Sequence, residues 1–406
     1  MAARREVEVE IEGRRLRLSN LEKVFYPRAG FTKGDVIDYY IRVAPALLPH
    51  LRDRPLTLKR YPNGVDGPYF YEKRCPAHRP AWVRTEAVWS RANEDVIDFC
   101  ICDDLATLVW AANLADLELH TYLHLAREVA RPTMVVFDLD PGAPADVLHC
   151  CEVALVLRGL FEALRLHSYP KTSGSKGLQI YVPLNAPVAY DDTKGFARGV
   201  AEALEARRPD LVVSSMKKAL RAGKVLVDWS QNDDHKTTSC VYSLRAKDRP
   251  TVSTPLRWAE VEEALAARDA ARLTFEARAV LARVAAHGDL FAPVLSEVQR
   301  LPAMAGVVAR VAAPAGRARS RGAAGDPPGG AAPPPRPRGA ERAAPHAKKG
   351  GSAGGTRQGT GAPAAGRGAG ARSPGRRAPR SRLPSKGGSD PRDGDGYLSP
   401  GSIARR

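Results

Sequence analysis

The chain has 406 residues, enough for one large domain or two ordinary ones, and 44% of them are hydrophobic, ample for a core. Its net charge of +17 is concentrated at one end: residues 303–406 carry 20 Lys+Arg against 5 Asp+Glu, a net of +15, which leaves 42 basic and 40 acidic residues in the first 302. That balance excludes attraction to polyanions through overall charge in the first part, where any affinity for nucleic acid must come from local patches. No apolar stretch is long enough for a membrane span, and Met1-Ala-Ala-Arg-Arg-Glu6 runs straight into charged residues, so a cytoplasmic, reducing location is expected.

In chain order, Glu6 to Glu12 alternates charged and apolar residues as an edge strand does, and Thr32-Lys-Gly-Asp35 caps the amphipathic run Val36-Ile-Asp-Tyr-Tyr-Ile-Arg-Val43. Pro55-Leu-Thr-Leu-Lys-Arg-Tyr61 reads as a strand with two cations near its end, open to phosphate or to solvent. A second unit begins at Met134: a strand to Leu139, a Pro-Gly turn, a helix from about Ala145 to Leu166 and the strand Ser168-Tyr-Pro-Lys-Thr172. A loop from Ser173 to Gly177 leads to the strand Leu178-Gln-Ile-Tyr-Val-Pro-Leu184, a helix over Thr193 to Ala206 and the strand bearing Asp228. This alternation predicts an α/β sandwich with its acids at strand ends, and helices around Trp258–Asp269 and Phe275–His287 are expected to pack on its outside.

From about Ala303 onward Ala, Gly, Pro, Arg and Ser dominate, a composition that buries too little to order itself. Such a tail serves either as a solubilising linker or as a diffuse, salt-sensitive attraction to phosphate backbones. The six cysteines form no recognisable metal or disulfide framework: Cys100 and Cys102 have one residue between them, Cys150 and Cys151 are adjacent, and Cys75 and Cys240 stand alone. Cys75-Pro-Ala-His78 is read as structural, since no second pair completes a zinc site.

The chemistry concentrates in three stretches. Met134-Val-Val-Phe-Asp138-Leu-Asp140-Pro-Gly142 ends an apolar run with two aspartates that share a face, because alternate side chains of a strand point the same way. Val225-Leu-Val-Asp228-Trp-Ser230 repeats that setting with a third acid. Three converging carboxylates make a hard-oxygen site suited to Mg²⁺ or Mn²⁺, and two ions bridged by aspartates support in-line attack at phosphorus. Between the acids lies Lys171-Thr-Ser-Gly-Ser-Lys-Gly177. Its glycines permit close backbone approach, Ser173 and Ser175 supply hydroxyl donors and Lys176 a point charge: the parts of a phosphate cradle, without the eight-residue frame of a Walker A loop.

Phe137-Asp-Leu-Asp-Pro-Gly142, Lys171-Thr-Ser-Gly-Ser-Lys-Gly-Leu178 and Val227-Asp-Trp-Ser-Gln-Asn232, in this order, resemble the three motifs of the archaeo-eukaryotic primase superfamily, and more narrowly the polymerase domain of bacterial ATP-dependent DNA ligase D. The likeness runs over residues 10–302. It includes Leu18-Ser-Asn-Leu-Glu-Lys-Val-Phe-Tyr-Pro27, Gly64-Val-Asp-Gly67, Ala112-Asn-Leu-Ala-Asp-Leu-Glu-Leu-His120, Tyr242-Ser-Leu-Arg245 and Gly288-Asp-Leu-Phe291.

The resemblance implies a primase-polymerase fold of the α/β class, with an RRM-like catalytic sheet flanked by helices, an N-terminal α/β subdomain and a disordered C-terminal tail, divided at 1–302 and 303–406. By the same likeness Asp138, Asp140 and Asp228 hold two Mn²⁺ or Mg²⁺ ions, and Ser173, Lys176 and Gly177 bind the incoming triphosphate. Lys59, His120 and Arg245 belong to the nucleotide pocket, while Asn20, Lys23 and Lys33 take the 5′-phosphate of a downstream strand. Phe70 and Tyr71 stack on template bases. Seen without the family pattern, His120, Phe70 and Tyr71 would be core, Asn20 a helix cap and Lys23 a solvated residue.

One position departs from the pattern. Where the family usually has a histidine contacting the triphosphate, this chain has Gln179, which can never carry charge, and weaker nucleotide binding or slower turnover is expected. The basic tail stands where a fused family member would continue into a ligase or nuclease domain. The implied activity is template-dependent addition of nucleotides, ribonucleotides by preference, to a DNA primer, filling gaps in non-homologous end joining. Its substrates are nucleoside triphosphates and DNA with gaps or double-strand-break ends. Its implied partners are Ku and a separate ligase, at the nucleoid and with no membrane. The alternatives are a free-standing primase that starts chains without a primer and a catalytically weak scaffold that binds DNA ends.

Overall fold

The computed structural model describes residues 6–90 and 94–303. The tail expected beyond Ala303 therefore lies outside the described residues. Alternation along one strand organises the whole site. In Met134–Pro141, Val135, Phe137 and Leu139 enter one hydrophobic core, together with residues of the helices Val147–Ala163 and Tyr190–Arg207, while Met134 and Val136 enter a second core on the opposite face. Asp138 and Asp140 continue that second face where the apolar packing stops.

This strand is the centre of a five-stranded sheet in the order Tyr169–Thr172, Leu178–Pro183, Met134–Pro141, Val225–Asp228, Val212–Val213. All its pairings are antiparallel except the last. The architecture is the mixed α/β arrangement that the alternation of strands and helices predicts. A six-stranded sheet accompanies it, with Thr238–Ser239, Asp116–Thr121, Pro55–Arg60, Asp95–Ile101 and Thr85–Ser90 in that order and Phe70–Glu72 also paired to Pro55–Arg60. Helices Lys33–Leu51 and Leu105–Asn113 pack on each other, and their buried residues join this sheet's in the second core. The expected cap is present: Thr32 Oγ1 accepts from the amide of Asp35 at 3.1 Å while the Asp35 carboxylate accepts from the amide of Thr32 at 2.7 Å.

Glu6–Ile11 is an edge strand as expected, paired among the described residues with Arg14–Ser19 in a two-stranded hairpin apart from the main sheets. Two expectations need correction. Of the two late helices, Trp258–Ala267 lies on Val147–Ala163 as expected, but Ala277–His287 packs against Lys33–Leu51, with Ala277 and Val280 in the second core. Finally, Cys75 is joined to Cys100 in a disulfide. The chain leaving Phe70–Glu72 is hydrogen-bonded from the amide of Cys75 to the carbonyl of Asp98 at 2.7 Å, and sheet neighbours 25 residues apart thereby become partners that spacing alone cannot reveal. Cys102, Cys150, Cys151 and Cys240 are buried thiols, raised in pKa first by desolvation, which makes them poor nucleophiles. Among the described residues no helix is long and apolar enough to cross a membrane.

Candidate active site

Strand register assembles the carboxylates. Asp138 lies opposite Asp228 on one side and Gln179 on the other, and Gln179 lies opposite Lys171, so these four residues form one rung across four strands. Asp140 follows two residues on, on the same face. The crowding is visible in the proton affinities: burial first, then the charges of Asp140 and Asp228, push Asp138 up to about 8, and burial with the charge of Asp228 raises Asp140. Gln179 moderates this by hydrogen-bonding the Asp138 carboxylate, while its own carbonyl accepts from Tyr181 Oη at 3.3 Å.

The third acid is held by its own motif. Asp228 Oδ1 accepts from the amide and hydroxyl of Ser230 at 2.8 and 2.6 Å, and Oδ2 from Gln231 Nε2 at 3.2 Å. Since Val225–Asp228 stops at Asp228, Val136 has no strand neighbour on that side. The buried Asn232 replaces one, accepting from the Val136 amide at 2.9 Å and donating to its carbonyl at 2.7 Å. Three carboxylates gathered at one strand end supply hard oxygen ligands and a negative charge that a divalent cation offsets, so this donor set fits Mg²⁺ or Mn²⁺.

The Ser173–Gly177 loop lies across the carboxylate strand because Gly177 has no side chain: a Cβ there would sit 1.9 Å from the Leu139 carbonyl oxygen, between the two aspartates. Gly174 adopts φ +68°, and a Cβ there would stand 2.7 Å from the backbone of Val252. Ser173 departs from the simple picture of an open donor. It is buried, and its Oγ accepts from the amides of Ser175 at 3.2 Å and Gly177 at 3.1 Å, so the hydroxyl shapes the loop and keeps only its proton to donate. Arg245 donates to the Ser173 carbonyl and ties the loop to the far wall.

That wall is built around Glu118, which sequence reasoning missed. Its Oε2 lies 3.2 Å from Lys59 Nζ, 3.1 Å from His120 Nε2 and 3.2 Å from Arg245 Nε, the last an ion pair without hydrogen-bond geometry. Burial opposes its ionisation, but the hydrogen bond from His120 and the charges of Arg245, His120 and Lys59 outweigh burial and hold the carboxyl well below the usual range. Burial lowers His120 and Lys59 despite Glu118. The available signal was the alternation Asp116-Leu-Glu-Leu-His120, which puts 116, 118 and 120 on one face of a strand. Tyr69 was missed as well: the Lys59 ammonium stands 4.6 Å from its ring centre and 5.4 and 5.5 Å from those of Tyr61 and Tyr71.

His120, Asp138, Asp140, Ser173, Lys176, Gln179 and Arg245 together line one cleft of about 250 Å³. Asp228 adjoins it through Gln231, and Lys59 through Glu118. A larger cavity of about 390 Å³ lies against the same loop and shares Ser175 and Lys176, but Asp138, Asp140 and Asp228 do not line it.

Asn20, Lys23 and Lys33 meet elsewhere, in a recess of about 430 Å³ that also takes in Arg60, Asn63 and His78. Lys23 Nζ donates to the Pro62 carbonyl at 2.7 Å and Asn63 Oδ1 at 2.8 Å; Lys33 Nζ donates to the Ser19 carbonyl and Asn113 Oδ1, both at 2.7 Å. Asn20 itself is in the left-handed region at φ +55°, not at a helix cap. Lys59 and Arg60, neighbours on one strand, turn to opposite faces, Lys59 toward Glu118 and Arg60 into the recess. Tyr71 pairs with Lys59 and Phe70 with Arg60, and each aromatic is 43% exposed and outside the core.

Comparison with known proteins places the chain in a family. The family model "LigD, primase-polymerase domain" matches residues 32–291. The multifunctional non-homologous end joining protein LigD of Mycolicibacterium smegmatis is 41% identical over 282 residues, covering 69% of this chain and 36% of that protein. The bifunctional LigD of Bacillus subtilis is 33% identical over 252 residues, covering 62% and 40%. The chain thus spans well under half the length of these relatives. Among solved structures, the polymerase domain of Mycobacterium tuberculosis ligase D in complex with DNA superposes with a TM-score of 0.64 at 40% identity, covering 70% of this chain and 99% of that one. The chain belongs to the LigD primase-polymerase domain family.

Proposed function

We propose that residues 1–302 form a template-dependent nucleotidyltransferase that extends a DNA primer into short gaps during non-homologous end joining, and that 303–406 is a separate basic tail. The observation that carries this reading is the rung of Asp138 and Asp228, with Asp140 beside it, facing a cleft that Lys176 and Arg245 also line. Asp138, Asp140 and Asp228 would hold two divalent ions, Mn²⁺ or Mg²⁺; when bound, these supply a lowered pKa for the attacking primer 3′-hydroxyl and neutralise charge on the departing pyrophosphate. Lys176 would face the triphosphate, and Arg245 brings a fixed fork of donors beside it. Phe70 and Tyr71 offer sequence-tolerant stacking surfaces to the template.

The cations of the second recess suit a 5′-phosphate, and that preference distinguishes gap filling from primerless chain initiation. Ku and a separate ligase complete the proposed setting, at the nucleoid in the cytoplasm. Primer extension on a gapped duplex tests the reading. Extension with Mn²⁺ or Mg²⁺, enhanced by a 5′-phosphate on the downstream strand and abolished by Asp138→Ala, is expected. No extension with either ion, or an undiminished Asp138→Ala variant, rejects it.

A further inference from the structure

We propose that Glu118 is the positioning residue that couples Lys59, His120 and Arg245 into a single triphosphate-facing unit and links that unit to the Ser173–Gly177 loop. The inference rests on the nucleotidyltransferase reading and adds to it the residue through which its scattered cations act together.

Glu118 reaches all of them by register. Its strand pairs antiparallel with Pro55–Arg60, which sets Lys59 directly opposite, and His120 follows two residues along the same face. Arg245 arrives from a remote segment and is held twice, by its Nε at 3.2 Å from Oε2 and by the next amide, Ala246, which donates to Oε1 at 3.0 Å. Tyr61 Oη, 3.4 Å away, completes the shell. With only 2% of its side chain exposed, Glu118 itself is shut off from a ligand.

The arrangement needs an anion at this point. Lys59 and Arg245 are like charges converging on one oxygen; without the carboxylate they repel and lose the contact that aims them. Arg245 also donates to the Ser173 carbonyl, so its displacement would release the loop that Ser173 and Gly177 shape. Lys59 further lies among the tyrosine rings that border the template-side aromatics, which ties nucleotide contacts to that surface. Glu118 thus joins residues 59, 120, 173 and 245, which the chain order scatters.

The test uses the full chain with GTP and Mn²⁺. Binding is measured by titration calorimetry and turnover by steady-state primer extension. Glu118→Gln keeps the shape and removes the charge: about a ten-fold weaker Kd and higher KM is expected, with kcat within about three-fold, because Glu118 does not touch the reacting atoms. Glu118→Asp keeps the charge and should recover part of the loss. Arg245→Ala should weaken binding in the parent but add less than about two-fold in the Glu118→Gln background, since residues acting as one unit are not additive. Binding by Glu118→Gln within two-fold of the parent overturns the proposal, as does equal impairment of the Gln and Asp variants with matching falls in melting temperature. Should Glu118→Gln not fold, Glu118→Asp carries the test: a raised KM at constant kcat supports positioning, and unchanged binding refutes it. A parent that binds GTP but does not extend primers counts against the nucleotidyltransferase reading while leaving the Glu118 comparison readable by calorimetry.

Discussion

Replacing Asp138 by asparagine should stabilise the metal-free protein while destroying its response to metal. The carboxyl is pushed up to about 8 from an ordinary 3.8, first by burial and then by Asp140 and Asp228. A group whose proton affinity is raised on folding favours the native state at low pH and loses that contribution as pH rises through its native value. Counted from 3.8 to pH 7 at 1.36 kcal/mol per unit, holding this site in the fold costs about 4 kcal/mol. Asp138 keeps part of its surface open to the cleft, so solvent screening reduces this to about 2 kcal/mol. Asparagine fills the same volume, can keep a hydrogen bond to Gln179, and removes the charge. In EDTA at pH 7 the variant should therefore melt about 4–8 °C above the parent. The difference should grow between pH 4 and pH 8, flatten above that, and vanish below pH 4. Mn²⁺ should raise the melting temperature of the parent by mass action and leave the variant nearly unmoved. Calorimetric melting across pH, with and without Mn²⁺, reads all of this. A variant less stable than the parent in EDTA at pH 8, or a difference that does not change with pH, would refute the claim that burial, reinforced by Asp140 and Asp228, makes the ionised Asp138 costly to hold in the fold.

Gly177→Ala should weaken GTP binding at least ten-fold and cost about 1–3 kcal/mol of stability, because its Cβ would meet the Leu139 carbonyl oxygen at 1.9 Å and backbone, not a side chain, must yield. Binding within two-fold of the parent would show that the loop need not lie across the strand. Gln179→His should tighten triphosphate binding about five-fold, a charge-assisted donor replacing a neutral one, and titration with GTP showing no gain in affinity would remove Gln179 as the weak point of the cleft. A chain ending at Pro302, stripped of 20 Lys+Arg in residues 303–406, should show a shallower dependence of DNA affinity on salt; identical slopes would mean that the tail does not touch the phosphate backbone.

How much of this was legible depends on whether the information is local. The period of a strand suffices to put Asp138 and Asp140 on one face, and a capping pattern suffices to start a helix at Lys33, since both follow from neighbours a few residues apart. Gly177 could be recognised as a point of close approach, but not that the approaching atom is the carbonyl of Leu139. Ser173 was readable as a hydroxyl, but not as one already accepting two amides, because that depends on how the loop closes.

Glu118 is the sharpest case. It stands inside a stretch that resembles the family, and its only local sign is the strand face it shares with His120, which does not name the cations it holds. Its meaning lies in Lys59, placed opposite by strand register, and in Arg245, brought in from beyond an edge strand. The disulfide of Cys75 with Cys100 was hidden for the same reason. A buried anion draws its function from the cations that surround it, and those are contributed by the fold. Chemistry borne by a single motif can therefore be read along the chain. Chemistry borne by a buried counter-charge has to be read across the sheet, and a search for further determinants of nucleotide affinity should begin with residues opposite and alternate to Glu118, not with those adjacent to the aspartates.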